Sequence, residues 1–131
     1  MELVLDASAA VRGLVPTGTG AAPLLARLRK STCHAPHLMD AEVGSVLRRA
    51  VRQGTVKASI AGGALRALDS LIANRYPHSV LAEGAWALRD NVTYYDALYV
   101  ALAARLGCPL LTADARLARS PGLPCDVQLV D

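Results

Sequence analysis

Two aspartates in this chain each follow a predicted strand, at the position where ligand sites form in parallel sheets. Asp6 follows the short apolar run Leu3–Leu5, and Asp114 follows a second such run, Leu110–Thr112. Both runs are too short for helices and are typical of strands buried on both faces. Because sites in open parallel sheets lie beyond the carboxyl ends of the strands, we expect Asp6 and Asp114 to meet at one edge.

A third carboxylate, Asp96, is placed to join them. It lies three residues after Thr93, which the pattern predicts as the N-cap of a helix that ends at Gly107. That helix directly precedes the predicted strand Leu110–Thr112, which Asp114 follows. We therefore expect Asp96 to open a helix beside the same edge.

The fourth carboxylate is Glu42, on the amphipathic helix predicted over Leu38–Gln53. At about 100° per residue it lies about 40° from Val46, on the shoulder of the apolar stripe, where an acid needs a partner or a function. A helix that leans over the sheet edge would bring Glu42 to the other three acids.

Simpler interpretations remain open for these acids. Asp6 and Asp114 each precede a predicted helix and suit N-caps, and Glu42 suits the start of a helix through the macrodipole. Ser8 and Thr112 lie two positions from Asp6 and Asp114 respectively. Each strand end therefore presents hydroxyl as well as carboxylate oxygens.

Convergence of all four acids indicates a metal site. Carboxylates 4 Å apart repel by about 1 kcal/mol per pair in water and by several times more when desolvated. No lysine lies near any of the four in sequence. A divalent cation relieves the repulsion, and ligation by oxygen alone favours Mg²⁺ or Mn²⁺. Such a site suits metal-assisted attack of water on a phosphodiester.

The net charge of +3 rests on twelve arginines and two lysines, a bias that suits bidentate contact with phosphate. Arg48, Arg49 and Arg52 lie on the helix that carries Glu42, away from its apolar stripe. We expect them to contact the phosphate groups of a substrate. A solvated helix face is the alternative.

The elements that must position these residues alternate between strands and helices, which predicts an α/β fold with a parallel sheet covered on both faces. Trp86 is expected in the core, and a platform for a ligand is the alternative. The predicted strands are Leu3–Leu5, Thr32–His34, Arg75–His78, Leu110–Thr112 and Asp126–Val130. The predicted helices are Ala7–Leu14, Leu24–Lys30, Leu38–Gln53, Ser59–Ile72, Val80–Leu88 and the segment from Thr93 to Gly107.

At 131 residues and 53% hydrophobic composition, the chain is expected to form a single domain over residues 1–131. Its three cysteines form no CxxC pair, which favours a reducing compartment. The sequence shows neither a signal peptide nor an apolar run of about 18 residues. These features predict a cytoplasmic protein that makes no membrane contact.

Four segments together resemble the PIN-domain ribonucleases, and most closely the VapC-type toxins of bacterial type II toxin–antitoxin systems. The segments are LVLDASA, HLMDAEVGSVLRR, YYDALYVALA and LLTADARLA, in that order along nearly the whole chain. The resemblance implies that Asp6, Glu42, Asp96 and Asp114 are the catalytic and metal-binding quartet. Ser8 and Thr112 then match supporting hydroxyl positions. Ser45 departs from the pattern, since many relatives carry Asn there.

The resemblance further implies a three-layer α/β/α sandwich with a five-stranded parallel sheet of order 3-2-1-4-5. It implies a homodimer, a small VapB-type antitoxin and a Mg²⁺-dependent endoribonuclease that cleaves cellular RNA. The phosphate groups expected at Arg48, Arg49 and Arg52 would then belong to RNA. One alternative is a catalytically silent PIN-fold binding module. Another is a receiver-like Mg²⁺-binding signalling domain, which needs adjacent acids after the first strand and a lysine after the last, whereas Lys30 and Lys57 are both misplaced.

Overall fold

The computed structural model describes residues 1–17 and 19–130. Its strands are β1 (Glu2–Leu5), β2 (Thr32–Pro36), β3 (Ile72–Tyr76), β4 (Leu110–Thr112) and β5 (Val127–Leu129). Its helices are α1 (Ala7–Leu14), α2 (Ala21–Arg29), α3 (Leu38–Arg52), α4 (Ala58–Leu71), α5 (Ala82–Ala87), α6 (Tyr94–Leu106) and α7 (Ala115–Ala118). A 3₁₀ turn over His78–Val80 precedes α5.

The five strands form one parallel sheet of order β3-β2-β1-β4-β5, which confirms the predicted fold and strand order. β1 is central, with Val4 paired to His34 of β2 on one side and to Leu110 of β4 on the other. The chain moves outward from β1 through β2 to β3 and then returns to the opposite side of β1. The point at which the strand order reverses therefore lies between β1 and β4, where ligand sites form in such sheets.

The core explains why the central strands read as unbroken apolar runs. Leu3, Val4 and Leu5 of β1 are completely buried, and so are Leu110 and Leu111 of β4. Parallel strands covered by helices on both faces bury every side chain, so alternation with polar residues is lost. Burial of these strands holds the residues that follow them at the sheet edge.

Helix α6 packs against β1, β2 and α5 and is buried from Ala97 to Ala103. Thr93 caps it as predicted, because its hydroxyl accepts from the Asp96 backbone N–H at 3.2 Å. Gly107 ends it in the left-handed conformation at φ 65°, again as predicted. The helix that carries Asp96 is thus defined at both ends by local sequence.

Four predictions need correction. Helix α2 begins at Ala21 rather than at Leu24, because Pro23 falls in its first turn, where a residue without an N–H is tolerated. The edge strand β3 covers Ile72–Tyr76 rather than Arg75–His78, because β2 pairs with it from Ile72 and Pro77 has no N–H to extend the ladder. The helix expected over Val80–Leu88 is shorter and begins with a 3₁₀ turn. Trp86, expected in the core, is 61% exposed, and the Arg89 guanidinium lies 5.1 Å from its ring centroid.

Within residues 1–17 and 19–130, no helix is both long and apolar enough to span a bilayer.

Candidate functional site

Asp6 is held rigidly at the carboxyl end of β1. Its side chain is 5% exposed, and Oδ1 accepts from the Ala9 backbone N–H at 2.9 Å and from Ser8 Oγ at 2.7 Å. The other oxygen, Oδ2, accepts from Thr112 Oγ1 at 2.5 Å. The predicted capping role of Asp6 is therefore correct, and both supporting hydroxyls contact the same carboxylate.

The two hydroxyls also tie the end of β4 to the end of β1. Ser8 Oγ accepts from the Ala113 N–H at 2.9 Å, and Thr112 Oγ1 accepts from the Asp114 N–H at 3.0 Å. The Thr112 hydroxyl thus donates to one aspartate side chain and accepts from the backbone of the other. This network brings Asp6 and Asp114 to the same edge, as the sequence predicted.

Asp114 caps the short helix α7. Its Oδ1 accepts from the backbone N–H groups of Arg116 at 2.9 Å and Leu117 at 3.4 Å. Its Oδ2 lies 3.7 Å from Arg116 Nη2. Because the cap is confined to Oδ1, capping and a role for Oδ2 in the site are compatible.

Glu42 and Asp96 approach from helices on two sides. Glu42 of α3 is half-buried, and its Oε1 accepts from the hydroxyl of Tyr99 at 2.7 Å. Tyr99 is 1% exposed and lies on α6, one turn after Asp96. The shoulder position of Glu42 therefore has the partner that its burial requires.

The charges of the four carboxylates act on one another. Burial raises the pKa of Asp6, and the negative charge of Asp96 adds to that increase. Burial likewise raises the pKa of Glu42, with further contributions from Asp96 and Asp6. Burial raises the pKa of Asp96 too, and Asp114 adds to it. Asp96 is therefore the acid to which the other three are electrostatically linked.

Within the part of the chain that the structure describes, no three acidic, histidine or cysteine side chains are grouped closely enough to enclose an ion. The chemistry of the donors nevertheless fits a hard divalent cation, because the converging groups are carboxylates whose mutual repulsion such an ion would relieve.

Two residues of this site were missed from the sequence. Tyr99 holds Glu42 across 57 positions, and its spacing of three from Asp96 on the buried side of a helix was the available signal. Arg116 lies beside Asp114, and its positive charge lowers the pKa of Asp96. The acids are therefore not without a neighbouring cation, although they have no lysine.

The predicted RNA-binding arginines stay outside this cluster. Arg48, Arg49 and Arg52 are all exposed on α3. Ser45, the departure from the family pattern, is exposed on the same helix. The structure leaves both the RNA-contact and the solvated-face interpretations of the arginines in place.

Comparison with known proteins agrees with the fold. Residues 3–123 match the PIN domain family. The chain is 55% identical over 130 residues to Ribonuclease VapC1 of Mycobacterium tuberculosis, with 98% of each chain covered. It is 41% identical over 128 residues to Ribonuclease VapC9 of the same species, again with 98% of each covered.

Two solved structures share the fold. PAE2754 from Pyrobaculum aerophilum is 26% identical, with a TM-score of 0.66 over 89% of this chain and 82% of that one. VapBC2 from Rickettsia felis, bound to a DNA fragment from its promoter, is 16% identical, with a TM-score of 0.69 and full coverage of both chains. At that identity the second likeness concerns the fold alone.

Proposed function

The chain belongs to the PIN-domain family, and within it to the VapC-type ribonucleases, and from this premise we propose that it is a divalent-metal-dependent endoribonuclease. We further propose that it is the toxin of a toxin–antitoxin pair and that cellular RNA is its substrate. Ribonuclease VapC1, at 55% identity over 98% of the chain, supports the reaction class.

The observation that carries the proposal is the electrostatic linkage of four carboxylates at the reversal point of the sheet. The negative charge of Asp96 raises the pKa of Asp6 and of Glu42, and the negative charge of Asp114 raises the pKa of Asp96. Partly buried acids that raise one another's pKa destabilise the fold. A cluster of this kind therefore indicates a function that needs the charges. Ligation of a cation is the function that suits a set of oxygen ligands.

In this proposal Asp6, Glu42, Asp96 and Asp114 hold Mg²⁺, with Mn²⁺ as a possible substitute. The ion, when bound, lowers the pKa of a water molecule and stabilises charge on the phosphoryl oxygens. Ser8 and Thr112 hold the Asp6 carboxylate in a fixed orientation.

The donors around Asp6 and Glu42 favour the form that binds metal. Hydrogen bonds from Thr112, Ala9 and Ser8 oppose the effect of burial on the pKa of Asp6. The hydrogen bond from Tyr99 does the same for Glu42. Because these donors need an unprotonated oxygen, they keep the two acids available as ligands.

The remaining expectations are proposals on the same premise. Arg48, Arg49 and Arg52 would contact the RNA backbone, and of these Arg49 lies seven residues after Glu42, which places it about 20° around the helix and about 10 Å further along. A VapB-type antitoxin would block the acidic site. We also propose a homodimer, a single domain over residues 1–131 and a cytoplasmic location.

Replacement of Asp96 by Asn tests the function most directly. Asp96→Asn removes the carboxylate to which the other three are linked, and it leaves the backbone contact with Thr93 intact. We expect cleavage of single-stranded or structured RNA to fall by at least about a hundredfold, with an unchanged circular-dichroism spectrum. Asp69→Asn, which removes one exposed charge from α4, away from the four acids, is the matched control.

Full activity of purified Asp96→Asn protein, or parent activity that persists in excess EDTA, would refute a metal-dependent mechanism. An outcome in which the parent binds RNA in millimolar Mg²⁺ but never cleaves it would favour the alternative of a PIN-fold binding module.

A further inference from the structure

A cleft of about 320 Å³ opens beside Asp96, between the segment that leads into α6 and the segment around α7. We name it the basic cleft and define it by Arg89, Asn91, Thr93, Arg116 and Ser120, which line it with Asp96 at one side. Asp90 also lines it and is exposed. None of the arginines expected on α3 contributes to it.

The two walls of the basic cleft are tied together. Asn91 Nδ2 donates to the carbonyl oxygen of Pro121 at 3.1 Å. The next residue, Gly122, has φ 72°, and a Cβ atom there would lie 3.0 Å from Asn91 Nδ2. The close approach of the loops therefore depends on glycine, and the width of the cleft is set by the fold.

Arg89 is held in place by the exposed Trp86. Its Nη1 donates to the Trp86 carbonyl oxygen at 3.0 Å, and its guanidinium carbon lies 5.1 Å from the indole centroid. A guanidinium has five N–H donors, so this contact leaves most of them for a ligand. The indole of Trp86 is 61% exposed, and unpaired bases stack on exposed aromatic rings and on guanidinium planes of this kind.

Arg116 supplies the second positive charge, between the basic cleft and the acids. Its Nη2 lies 3.7 Å from Asp114 Oδ2, and its side chain is 79% exposed. With Asp96 engaged by a cation, the two arginines outweigh Asp90. A ligand that reaches from the acidic site into the cleft would therefore meet net positive charge.

We propose that the basic cleft binds a backbone phosphate of single-stranded RNA, one or two nucleotides from the bond that is cleaved. Arg89 grips that phosphate through its fork of N–H groups, and Trp86 orients Arg89 and stacks on the adjacent base. This inference rests on the proposed ribonuclease function. It adds to that function the direction in which the bound RNA strand runs from the acidic site into the cleft.

The test compares steady-state cleavage of one single-stranded RNA by the parent, Arg89→Ala, Arg89→Lys and Arg29→Ala. Arg29 is the matched control, because it is exposed at the end of α2, just before β2 begins, at the opposite edge of the sheet. We expect Arg89→Ala to raise KM about tenfold while kcat stays within about twofold. Arg89→Lys, which keeps the charge but loses the fork, should lie between.

A second readout separates phosphate contact from a structural role. RNA binding is measured against salt concentration in a Glu42→Gln background, which is expected to be inactive and leaves the cleft unchanged. Arg89→Ala should reduce the log–log slope by about 0.7, and Arg29→Ala should leave it unchanged.

The outcomes distinguish the two claims. If the parent cleaves RNA and Arg89→Ala matches Arg29→Ala in KM and salt slope, the basic cleft is not a phosphate site although the ribonuclease stands. A fall in kcat at constant KM would also overturn the inference. If the parent cleaves no RNA with Mg²⁺ or Mn²⁺, the proposed function fails and the inference fails with it. Should Arg89→Ala not fold, the KM of Arg89→Lys decides.

Discussion

The side chain that joins the two strand ends is a threonine. Thr112 is completely buried, donates to Asp6 and accepts from the Asp114 N–H. A hydroxyl has only one proton, so its donation to Asp6 is fixed by the backbone donor on its other side. The network thereby orients the carboxylate without adding charge to the site.

Tyr99 performs a related task for Glu42, and its removal should change the pH dependence of catalysis. The Tyr99 hydrogen bond lowers the pKa of Glu42, whereas burial raises it. In Tyr99→Phe the Glu42 pKa should therefore rise further above its ordinary value, and protonation should compete with the metal at a higher pH. We expect the acidic limb of the pH profile of kcat/KM to move to higher pH.

The matched control for this prediction is Tyr95→Phe, which removes an exposed hydroxyl from the same helix. Well above the acidic limb, Tyr99→Phe should regain most of the parent activity. An acidic limb that coincides with that of the parent would show that Glu42 titrates outside the catalytic range or takes no part in catalysis.

Sequence reasoning succeeded for residues whose role depends on local position. Asp6 and Asp114 follow buried strands, and Thr93 precedes a helix, so short-range pattern was sufficient for each. Tyr99 and Arg116 were missed because their roles depend on contacts. The pair Tyr99 and Glu42 exists only because α3 and α6 meet across the sheet edge, which no local pattern records.

At the scale of elements, α6 connects the acidic site to the core. Its first turn carries Asp96, its middle is buried, and it ends at Gly107 before β4 begins. The helix could be predicted because it has a capping residue at one end and a glycine at the other. The predicted start of the edge strand β3 was three residues too late. Its partly exposed residues show no alternation of apolar and polar side chains, so only the pairing with β2 defines the strand.

Gly107 allows a test of this element that avoids the site. Its φ of 65° is unfavourable for residues with a Cβ, so Gly107→Ala should lower the free energy of unfolding by about 1 kcal/mol. Gly107→Asn should cost less, because Asn tolerates this conformation better. Urea unfolding measures both, and KM for RNA should not change in either folded variant.

An effect on KM as large as the effect on stability would contradict this separation. It would mean that the end of α6 is coupled to the acidic site through the helix. Equal stability of the parent and Gly107→Ala would show that the helix ends differently in solution.

At the scale of the whole molecule, the order of the strands places the site. The chain reverses direction across the sheet between β1 and β4, and both aspartates that follow these strands lie at that reversal. The alternation of strands and helices predicted the parallel sheet, whereas the order 3-2-1-4-5 came from the family resemblance. Several orders satisfy the same local pattern, so local pattern alone does not select one.

Repulsion between the four acids lowers the stability of the folded protein, and this loss of stability should be measurable when no metal is bound. Asp96 is the best position for the test, because its charge raises the pKa of both Asp6 and Glu42, and its backbone N–H keeps the contact with Thr93 after the change. The hydroxyl of Thr93, which lowers the pKa of Asp96, is a side-chain donor that its carboxylate would lose. Asp6 is less suitable, since Asn at that position would oppose donors from Ser8, Thr112 and Ala9. In EDTA, Asp96→Asn should melt about 3 °C above the parent, because relief of repulsion contributes up to about 1 kcal/mol after screening by solvent.

The pH dependence of the same melts shows independently whether the ionised acids lower or raise the stability of the fold. The pKa values of Asp6, Glu42 and Asp96 are raised in the folded state, so metal-free folded protein binds more protons than the unfolded chain. Its stability should therefore fall as pH rises from the ordinary carboxylate range through the raised values, and stay low above them. Asp96→Asn should flatten this fall, and millimolar Mg²⁺ should stabilise the parent more than the variant. Asp69→Asn, which removes an exposed charge from α4, should leave both effects unchanged. An Asp96→Asn protein that melts well below the metal-free parent would show that Asp96 stabilises the fold itself.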